Sequence, residues 1–208
     1  NSYTMKLINK KYKGDIAKYL PNCIDTRNKK LVFKKSKKKI IVGAMGRLVK
    51  KKGFESLINV FRRLEGIQLQ IAGDGPQMKF LEKQAYGYNN IKLLGWIKNK
   101  DEFFKKIDIF FCPSYIEPFG LVILEAMLNG VPVISTKCKG PMDIIDHMKN
   151  GILVNIDNKQ EMEKAIRLLE RDKLLRKQIS KNAFETLKNK YSIQAYKKNL
   201  FTEIKETL

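Results

Sequence analysis

Between residues 40 and 154, short apolar runs alternate with segments of helical spacing, and this alternation restricts the fold more than any other feature. Most of the runs show no sustained polar–apolar alternation, so they are expected to be strands buried on both faces, although residues 67–72 read Ile-Gln-Leu-Gln-Ile-Ala. The predicted strands are residues 40–45, 67–72, 91–94, 107–112, 131–135 and 152–154. Parallel strands need crossover connections, and crossover helices cover both faces of the sheet. The pattern therefore predicts an α/β fold, a Rossmann-like doubly wound parallel sheet of about six strands with helices on both faces.

Helical segments occupy the gaps between these strands and continue to the end of the chain. The expected crossover helices are residues 54–63, 77–86, 100–106 and 121–129. Residues 159–208 are helical in composition, with breaks expected near Asp172 and around residues 190–192. Before the sheet, residues 16–20 are expected to form a short strand, and residues 28–39 a basic linker. We therefore predict one sheet domain with a helical C-terminal tail.

One predicted helix carries a carboxylate within an otherwise apolar segment. From Leu121 to Leu128 every residue except Glu125 is apolar, and an unpaired carboxylate buried there would be strongly unfavourable. Glu117 lies eight residues earlier, and Gly120 directly precedes the helix. The exposed amides and the dipole of a helix N-terminus favour an anion. Two carboxylates around such a helix start predict a site that holds a phosphate and a hydroxyl-rich group together.

A basic loop follows the first predicted strand, at the sheet edge where open parallel sheets bind their ligands. Gly46 and Gly53 bracket this loop, which contains Arg47 and Lys52. Arg47 can bind two phosphate oxygens at once, and Lys52 can add a point charge to the same group. A solvated surface loop is the alternative interpretation. The loop is not a Walker motif, because the GxxxxGK[ST] pattern is absent.

Two more candidate loops follow the second and third predicted strands. Residues 73–76 read Gly-Asp-Gly-Pro, a tight turn in which Asp74 is expected to cap the next helix. The turn is not a dinucleotide fingerprint, because Met78 stands where the third glycine belongs. Trp96 and Ile97 follow the third strand, where they could contact a nucleotide base, with packing of the tryptophan as the alternative. These loops extend the predicted site along the carboxyl edge of the sheet.

The charge and the cysteine content narrow the classes of function. The net charge is +21, which suits solvated lysines, an anionic membrane surface or a nucleic acid. Lysine greatly outnumbers arginine, and arginine is the residue that most often reads bases, so nucleic acid is disfavoured. Three widely spaced cysteines and one histidine predict neither a disulfide framework nor a metal site. No apolar run reaches the roughly 18 residues of a membrane span, and a cytoplasmic protein is expected.

Taken together, these motifs resemble the group 1 retaining glycosyltransferases. The residues that carry the resemblance are Gly46-Arg47, Lys52-Gly53, Gly73-Asp74-Gly75-Pro76, Pro113-Ser114, Glu117-Pro118-Phe119-Gly120, Glu125-Ala126 and Gly130-Val131-Pro132-Val133-Ile134. The resemblance covers about residues 21–166. It implies one half of a GT-B fold, in which two Rossmann-like domains face a cleft and the C-terminal domain holds a nucleotide-sugar.

The resemblance also implies a role for each matching residue. Arg47 and Lys52 would bind the donor diphosphate and stabilise the leaving group, and Glu117 would face the transferred sugar, so these three are the predicted catalytic residues. Glu125 would accept hydrogen bonds from the ribose hydroxyls. The complete predicted donor site is Gly46, Arg47, Lys52, Trp96, Ile97, Ser114, Glu117, Phe119, Gly120, Leu121, Val122 and Glu125. The donor would be a UDP-, GDP- or ADP-sugar, with no metal and no further cofactor.

The same resemblance divides the chain into three parts. Residues 1–37 would be the end of an N-terminal domain and a linker, and residues 38–190 the nucleotide-sugar domain. Residues 191–208 would form a C-terminal helix that packs back toward the N-terminal domain. Without that domain, which would bind the acceptor, the chain is expected to be inactive.

The implied function is transfer of a sugar, with retention at the anomeric carbon, to an acceptor sugar or a lipid-linked glycan. Lipopolysaccharide, other surface polysaccharide or glycolipid biosynthesis would provide such acceptors. The enzyme would work in the cytoplasm, peripherally on the inner face of the membrane. A sugar-nucleotide epimerase of related fold and a basic nucleic-acid-binding module are the two alternatives.

Overall fold

The computed structural model describes residues 1–14, 17–33 and 39–207, with side chains described as far as Lys205 in the last helix. Part of the predicted strand at residues 16–20, part of the predicted basic linker and the predicted start of the sheet domain at residue 38 lie outside these ranges. Residues 17–20 are described and do not form a strand, so that prediction was wrong where it can be compared.

Six parallel strands form one sheet in the described part of the chain, in the order β3-β2-β1-β4-β5-β6. They are β1 Ile41–Met45, β2 Gln68–Ala72, β3 Ile91–Leu93, β4 Ile109–Cys112, β5 Val133–Thr136 and β6 Ile152–Val154. The chain builds outward from β1 to β3 in one direction and then from β4 to β6 in the other. A crevice opens beyond the carboxyl ends of β1 and β4, where this order reverses. The predicted doubly wound sheet is confirmed.

Helices connect the strands and extend the chain at both ends. They are α1 Ser2–Lys11, α2 Phe54–Phe61, α3 Met78–Ala85, α4 Lys100–Lys106, α5 Leu121–Leu128, α6 Lys139–Ile144, α7 Lys159–Arg171, α8 Lys173–Lys190 and α9 Ile193–Thr207. The breaks at Asp172 and at residues 191–192 confirm those predicted in the C-terminal tail. None of the helices in the described ranges combines the length and the apolar character needed to span a bilayer.

Among the helices that follow the first strand, three start at an Asn or Asp whose side chain caps the helix. Asn99 accepts a hydrogen bond from the amide of Glu102 at the start of α4, and Asp172 accepts one from Leu175 at the start of α8. Asn158 caps α7 in the same way. These bonds satisfy amides that have no partner inside the helix. The prediction that Asp74 caps the third helix was wrong, since its Oδ1 accepts from the amide of Gly75 in the preceding turn.

Two strands, β4 and β5, begin two residues later than predicted, for local reasons. The strand β4 begins at Ile109, because the amide of Ile107 still bonds to the carbonyl of Phe103 at the end of α4. The strand β5 begins at Val133, because the amide of Val131 bonds back to Ala126 in α5. In both cases the apolar run includes a helix cap as well as a strand, and apolar character alone does not separate the two.

The first helix, α1, was not predicted, because its sequence shows little apolar periodicity and none of its residues is buried. The side chain of Asn1 caps it by accepting from the amide of Thr4 at 2.9 Å. Ser2 donates to the Asp143 carboxylate of α6 through its amide (3.0 Å) and its Oγ (2.5 Å). These polar contacts hold the start of α1 against α6.

The core lies on both faces of the sheet, as the lack of alternation in the strands predicts. In β4, Ile109 and Phe111 pack on the face covered by α2 and α7, whereas Phe110 and Cys112 pack on the face covered by α4 and α5. Successive strand residues point to opposite faces, so a strand covered on both sides must be apolar at every position. All residues of β4 and β5 are buried, and this positions the loops that follow them.

Candidate functional site

A cavity of about 520 Å³ opens at the carboxyl ends of the central strands. The loops after β1, β3 and β4 and the first turns of α5 form its walls. Every residue of the predicted donor site except Ser114 lines this cavity. Residues that are up to about 80 positions apart in the sequence therefore meet in the crevice beyond the carboxyl ends of β1 and β4, where the strand order reverses.

The basic loop after β1 is held closely against the loop after β4. Residues Lys50–Lys52 form a single 3₁₀ turn that ends at Gly53, whose φ of 69° lies in the left-handed region. A Cβ at Gly53 would lie 2.0 Å from the carbonyl oxygen of Pro113, so only glycine fits. The amides of Tyr115 and Ile116 donate to the carbonyl of Lys51 at 2.9 and 3.2 Å. The two loops form one wall of the cavity.

An ion pair joins the predicted phosphate-binding loop to the predicted sugar-binding loop. The Nζ of Lys52 lies 2.5 Å from the Oε2 of Glu117, and their side chains are only 21% and 10% exposed. The carbonyl of Glu117 also accepts a hydrogen bond from the amide of Gly140 at 3.0 Å. The carboxylate is therefore held in place beside the cavity with its charge compensated.

Arg47 is the cavity cation that lacks a protein partner within the described residues, and it is exposed. The helix α5 begins beside it at Gly120, with no side chain capping its first amides. A free guanidinium and an open helix N-terminus both favour an anion. This side of the cavity therefore carries positive charge that would favour an anion such as a phosphate group.

A second ion pair gives Glu125 the charged partner that a carboxylate in an apolar helix was expected to need. The Nζ of Lys100, the first residue of α4, lies 2.7 Å from the Oε1 of Glu125. The Glu125 side chain is 23% exposed, so its carboxylate is accessible from the cavity that it lines. Sequence reasoning missed Lys100, although its position after the third strand was an available signal.

A sequence model described as "Glycosyl transferases group 1" matches residues 25–186. This chain belongs to the group 1 glycosyl transferases. The match covers most of the chain and confirms the family that the motifs resemble. It does not favour the epimerase or nucleic-acid alternatives.

The glycosyltransferase chain has characterised relatives at about one-third identity. It is 34% identical over 158 residues to the lipopolysaccharide core biosynthesis glycosyltransferase LpsE of Rhizobium meliloti, covering 74% of this chain and 46% of LpsE. It is 33% identical over 159 residues to the lipopolysaccharide core biosynthesis glycosyltransferase LpsD of the same organism, covering 75% of this chain and 46% of LpsD. This chain therefore spans about half the length of the curated relatives that it matches.

Solved structures also show that this chain corresponds to one domain of a longer glycosyltransferase fold. HepE of Anabaena, determined in complex with UDP and glucose, superposes with a TM-score of 0.74 at 26% identity, over 81% of this chain and 48% of HepE. The C-terminal domain of LpcC of Francisella tularensis superposes with a TM-score of 0.69 at 26% identity, over 82% of this chain and 100% of that domain. The fold is one half of the GT-B architecture.

Ser114 is the predicted donor-site residue that does not reach the cavity of this glycosyltransferase domain. It is 1% exposed, and its carbonyl accepts from the Oγ1 of Thr136 (2.5 Å) and the Sγ of Cys138 (3.2 Å). Burial raises the pKa of the Cys112 thiol, 3.6 Å from the Ser114 hydroxyl, to about 11. Ser114, Cys112, Thr136 and Cys138 form a cluster of neutral side chains beneath the loop that carries Glu117. Ser114 therefore supports that loop.

The sole tryptophan resolves an alternative that the sequence left open. The Trp96 side chain is not packed in the core: the residue is 76% exposed and lines the cavity beside Ile97. The only histidine, His147, makes a structural contact, because its Nδ1 accepts from the amide of Leu153 at 3.1 Å. Within the described ranges, no group of three His, Cys, Asp or Glu side chains is arranged to hold a metal ion.

Proposed function

We propose that this chain is the donor-binding half of a retaining glycosyltransferase, which transfers a sugar from a nucleoside diphosphate sugar in lipopolysaccharide or other surface polysaccharide assembly. The observation that carries this proposal is the cavity itself. It combines a guanidinium with no partner among the described residues, an open helix N-terminus and two lysine-paired carboxylates in about 520 Å³. The relatives LpsE and LpsD, both described as lipopolysaccharide core biosynthesis enzymes, support the biological setting.

The diphosphate binds on the basic side of the cavity. Arg47 and Lys52 contact its oxygens, and the first amides of α5 at Leu121 and Val122 complete the anion site. As the bond to the sugar breaks, negative charge develops on the leaving diphosphate, and fixed donors stabilise that charge more than they stabilise the ground state. Removing one such donor from the oxyanion hole of an acyl-transfer enzyme costs about 3–4 kcal/mol, which sets the scale expected here.

The two carboxylates bind hydroxyl groups at the two ends of the donor. Glu125 accepts from the ribose, and Trp96 and the backbone of Ile97 contact the base. Glu117 accepts from the transferred sugar, since a carboxylate is a strong acceptor for sugar hydroxyls. Because Lys52 compensates its charge, Glu117 suits this role better than that of a nucleophile. We infer front-face attack by the acceptor with retention at the anomeric carbon. An inverted product, or a covalent glycosyl intermediate on Glu117, would contradict this inference.

Binding of a nucleoside diphosphate to the 208-residue chain tests this proposal directly. We expect UDP, GDP or ADP at about 100 times its dissociation constant to stabilise the fold by about 2.7 kcal/mol. This corresponds to an increase in melting temperature of roughly 5–10 °C for a chain of this size. Trp96 is the only tryptophan, so its fluorescence should change in the same titration.

The variant Trp96→Phe is the matched control for that titration. Phenylalanine keeps an aromatic ring beside the base, so this variant should still show an increase in melting temperature but lose the tryptophan fluorescence response. If none of the three nucleotides stabilises a folded sample, the donor-site assignment is wrong.

We further propose that the enzyme works on the cytoplasmic face of the membrane, with its net charge of +21 attracting it to anionic lipid. Each basic residue near such a surface contributes about 1 kcal/mol at low ionic strength. The chain should therefore cosediment with vesicles that contain phosphatidylglycerol and be released by high salt. Vesicles of phosphatidylcholine alone are the control. Equal retention on both kinds of vesicle, or none on the anionic ones, would contradict the proposal.

A further inference from the structure

Lys100 occupies a position that its own helix disfavours. It is the first residue of α4, where the positive end of the helix dipole repels a cation. The two residues that follow, Asp101 and Glu102, are acidic, which is the charge that this end of a helix favours. Although the Lys100 side chain is 53% exposed, its Nζ lies 2.7 Å from Glu125, whose charge offsets this unfavourable placement.

The Glu125 carboxylate is divided between protein and cavity. Its Oε1 accepts the hydrogen bond from Lys100, whereas its Oε2 has no hydrogen-bond partner within the described residues. Glu125 projects from the apolar helix α5, and the ion pair is the contact that restrains the carboxyl end of this flexible side chain. Lys100 therefore leaves one oxygen available to a ligand and limits the orientations in which it is presented.

The backbones that carry these two residues are also tied together. The Nδ2 of Asn129 donates to the carbonyl of Glu125 at 3.0 Å and to the Oδ1 of Asp101 at 3.3 Å. Asp101 is paired in turn with Lys29 at 2.8 Å. The start of α4 and the end of α5 are joined at a second point, so the spacing between Lys100 and Glu125 does not depend on the ion pair alone.

We propose that Lys100 is a positioning residue that holds the Glu125 carboxylate for the ribose hydroxyls of the donor, and so sets the preference of the site for ribonucleotides. The inference rests on the proposed function, because it assumes that the ligand is a nucleoside diphosphate. Lys100 acts through Glu125 and does not contact the phosphates.

The test is a comparison of ribose discrimination in the wild-type chain and in Lys100→Met. Calorimetric titrations would use UDP, GDP and ADP, each beside its 2′,3′-dideoxy counterpart. A hydrogen bond to a charged group predicts that the wild-type chain prefers the ribonucleotide by about tenfold or more. Partly exposed ion pairs are weak, so the loss of Lys100 should lower that ratio by about two- to fivefold.

Two further variants separate positioning from general effects. Lys100→Arg keeps a cation within reach of Glu125 and should restore the ratio. Lys105→Met removes a lysine from the same helix at an exposed position outside the cavity, and it should leave the ratio unchanged.

Each other result has a defined meaning. An unchanged ratio in Lys100→Met overturns the inference, whether both affinities stay the same or both fall together, because the second outcome would make Lys100 a phosphate ligand. A higher ratio also overturns it, because Lys100 would then compete with the ribose. Failure of all three ribonucleotides to bind the wild-type chain would instead overturn the proposed function.

Discussion

Replacing Arg47 with alanine is expected to weaken nucleoside diphosphate binding by roughly 10- to 100-fold, the value of one hydrogen-bonded charge contact. Arg47 has no protein partner within the described residues, so its removal leaves no buried charge uncompensated, and the melting temperature of the unliganded chain should be unchanged. In the full-length enzyme, kcat/KM should fall by about 100-fold or more, because the contact strengthens on the leaving group.

The monophosphate shows whether Arg47 acts on the diphosphate. If it does, Arg47→Ala should lower the affinity for the diphosphate much more than the affinity for the matching monophosphate. Lys50→Ala is the matched control, since Lys50 is an exposed cation of the same loop and lies outside the cavity. Equal losses in the two variants would indicate a general electrostatic effect and remove the proposed role.

Lys52→Ala should also impair binding, but it is the less specific test. Its removal leaves the largely buried Glu117 carboxylate without the cation at 2.5 Å, and breaking such a pair is destabilising in its own right. A loss of affinity in this variant would combine a missing phosphate contact with a displaced loop. Arg47 and Lys52 thus differ in what their substitution can establish, although the sequence places them in the same basic loop.

Gly140→Ala is expected to lower both the free energy of unfolding and the nucleotide affinity, although alanine is intrinsically more favourable than glycine in a helix. That preference alone would stabilise α6 by about 1 kcal/mol. The added Cβ, however, would lie 2.4–2.5 Å from backbone atoms of Phe119, which cannot move as a side-chain tip can. Overpacking of this kind costs about 1–3 kcal/mol. The net loss of up to about 2 kcal/mol corresponds to a fall in melting temperature of up to about 8 °C.

The affinity should fall because the clash displaces the loop that carries the site. Phe119 lies between Glu117 and the start of α5, and the amide of Gly140 already bonds to the Glu117 carbonyl. Gly66→Ala is the control: nothing lies within 4 Å of its Cβ position, and its φ of 82° still imposes backbone strain of about 1–2 kcal/mol. Gly66→Ala should therefore lose stability and keep its affinity. A Gly140→Ala variant that binds nucleotide normally would contradict the proposed coupling.

Much of the fold could be predicted because the information is local in the sequence. Strands buried on both faces must be apolar at every position, and the run of Phe110, Phe111 and Cys112 shows this directly. The helix starts at Asn99 and Asp172 are indicated by residue types whose side chains cap a helix. The helix α1 was not predicted although Asn1 caps it, because polar contacts with α6 hold it in place and no apolar face marks it in the sequence.

The candidate site was predictable to the extent that its residues lie in the loops that end the strands. Parallel strands bring those loops to one edge, so Arg47, Glu117 and Glu125 could be assigned to one place before their distances were known. Ser114 was assigned there as well, but its side chain points beneath the loop, and spacing along the chain does not reveal that direction. The predicted packing of residues 191–208 toward a second domain stays a prediction.

The sequence by itself determined the layer order, the edge of the sheet at which the cavity opens and the need of Glu125 for a partner. Only the tertiary structure decided which residue that partner is. Lys100 lies 25 positions from Glu125, and Lys52 lies 65 positions from Glu117. Periodicity and capping act over a few residues and are therefore visible in the chain. Ion pairs between separate loops depend on the packing of whole elements, and many lysines of this basic chain could have served equally well by sequence alone.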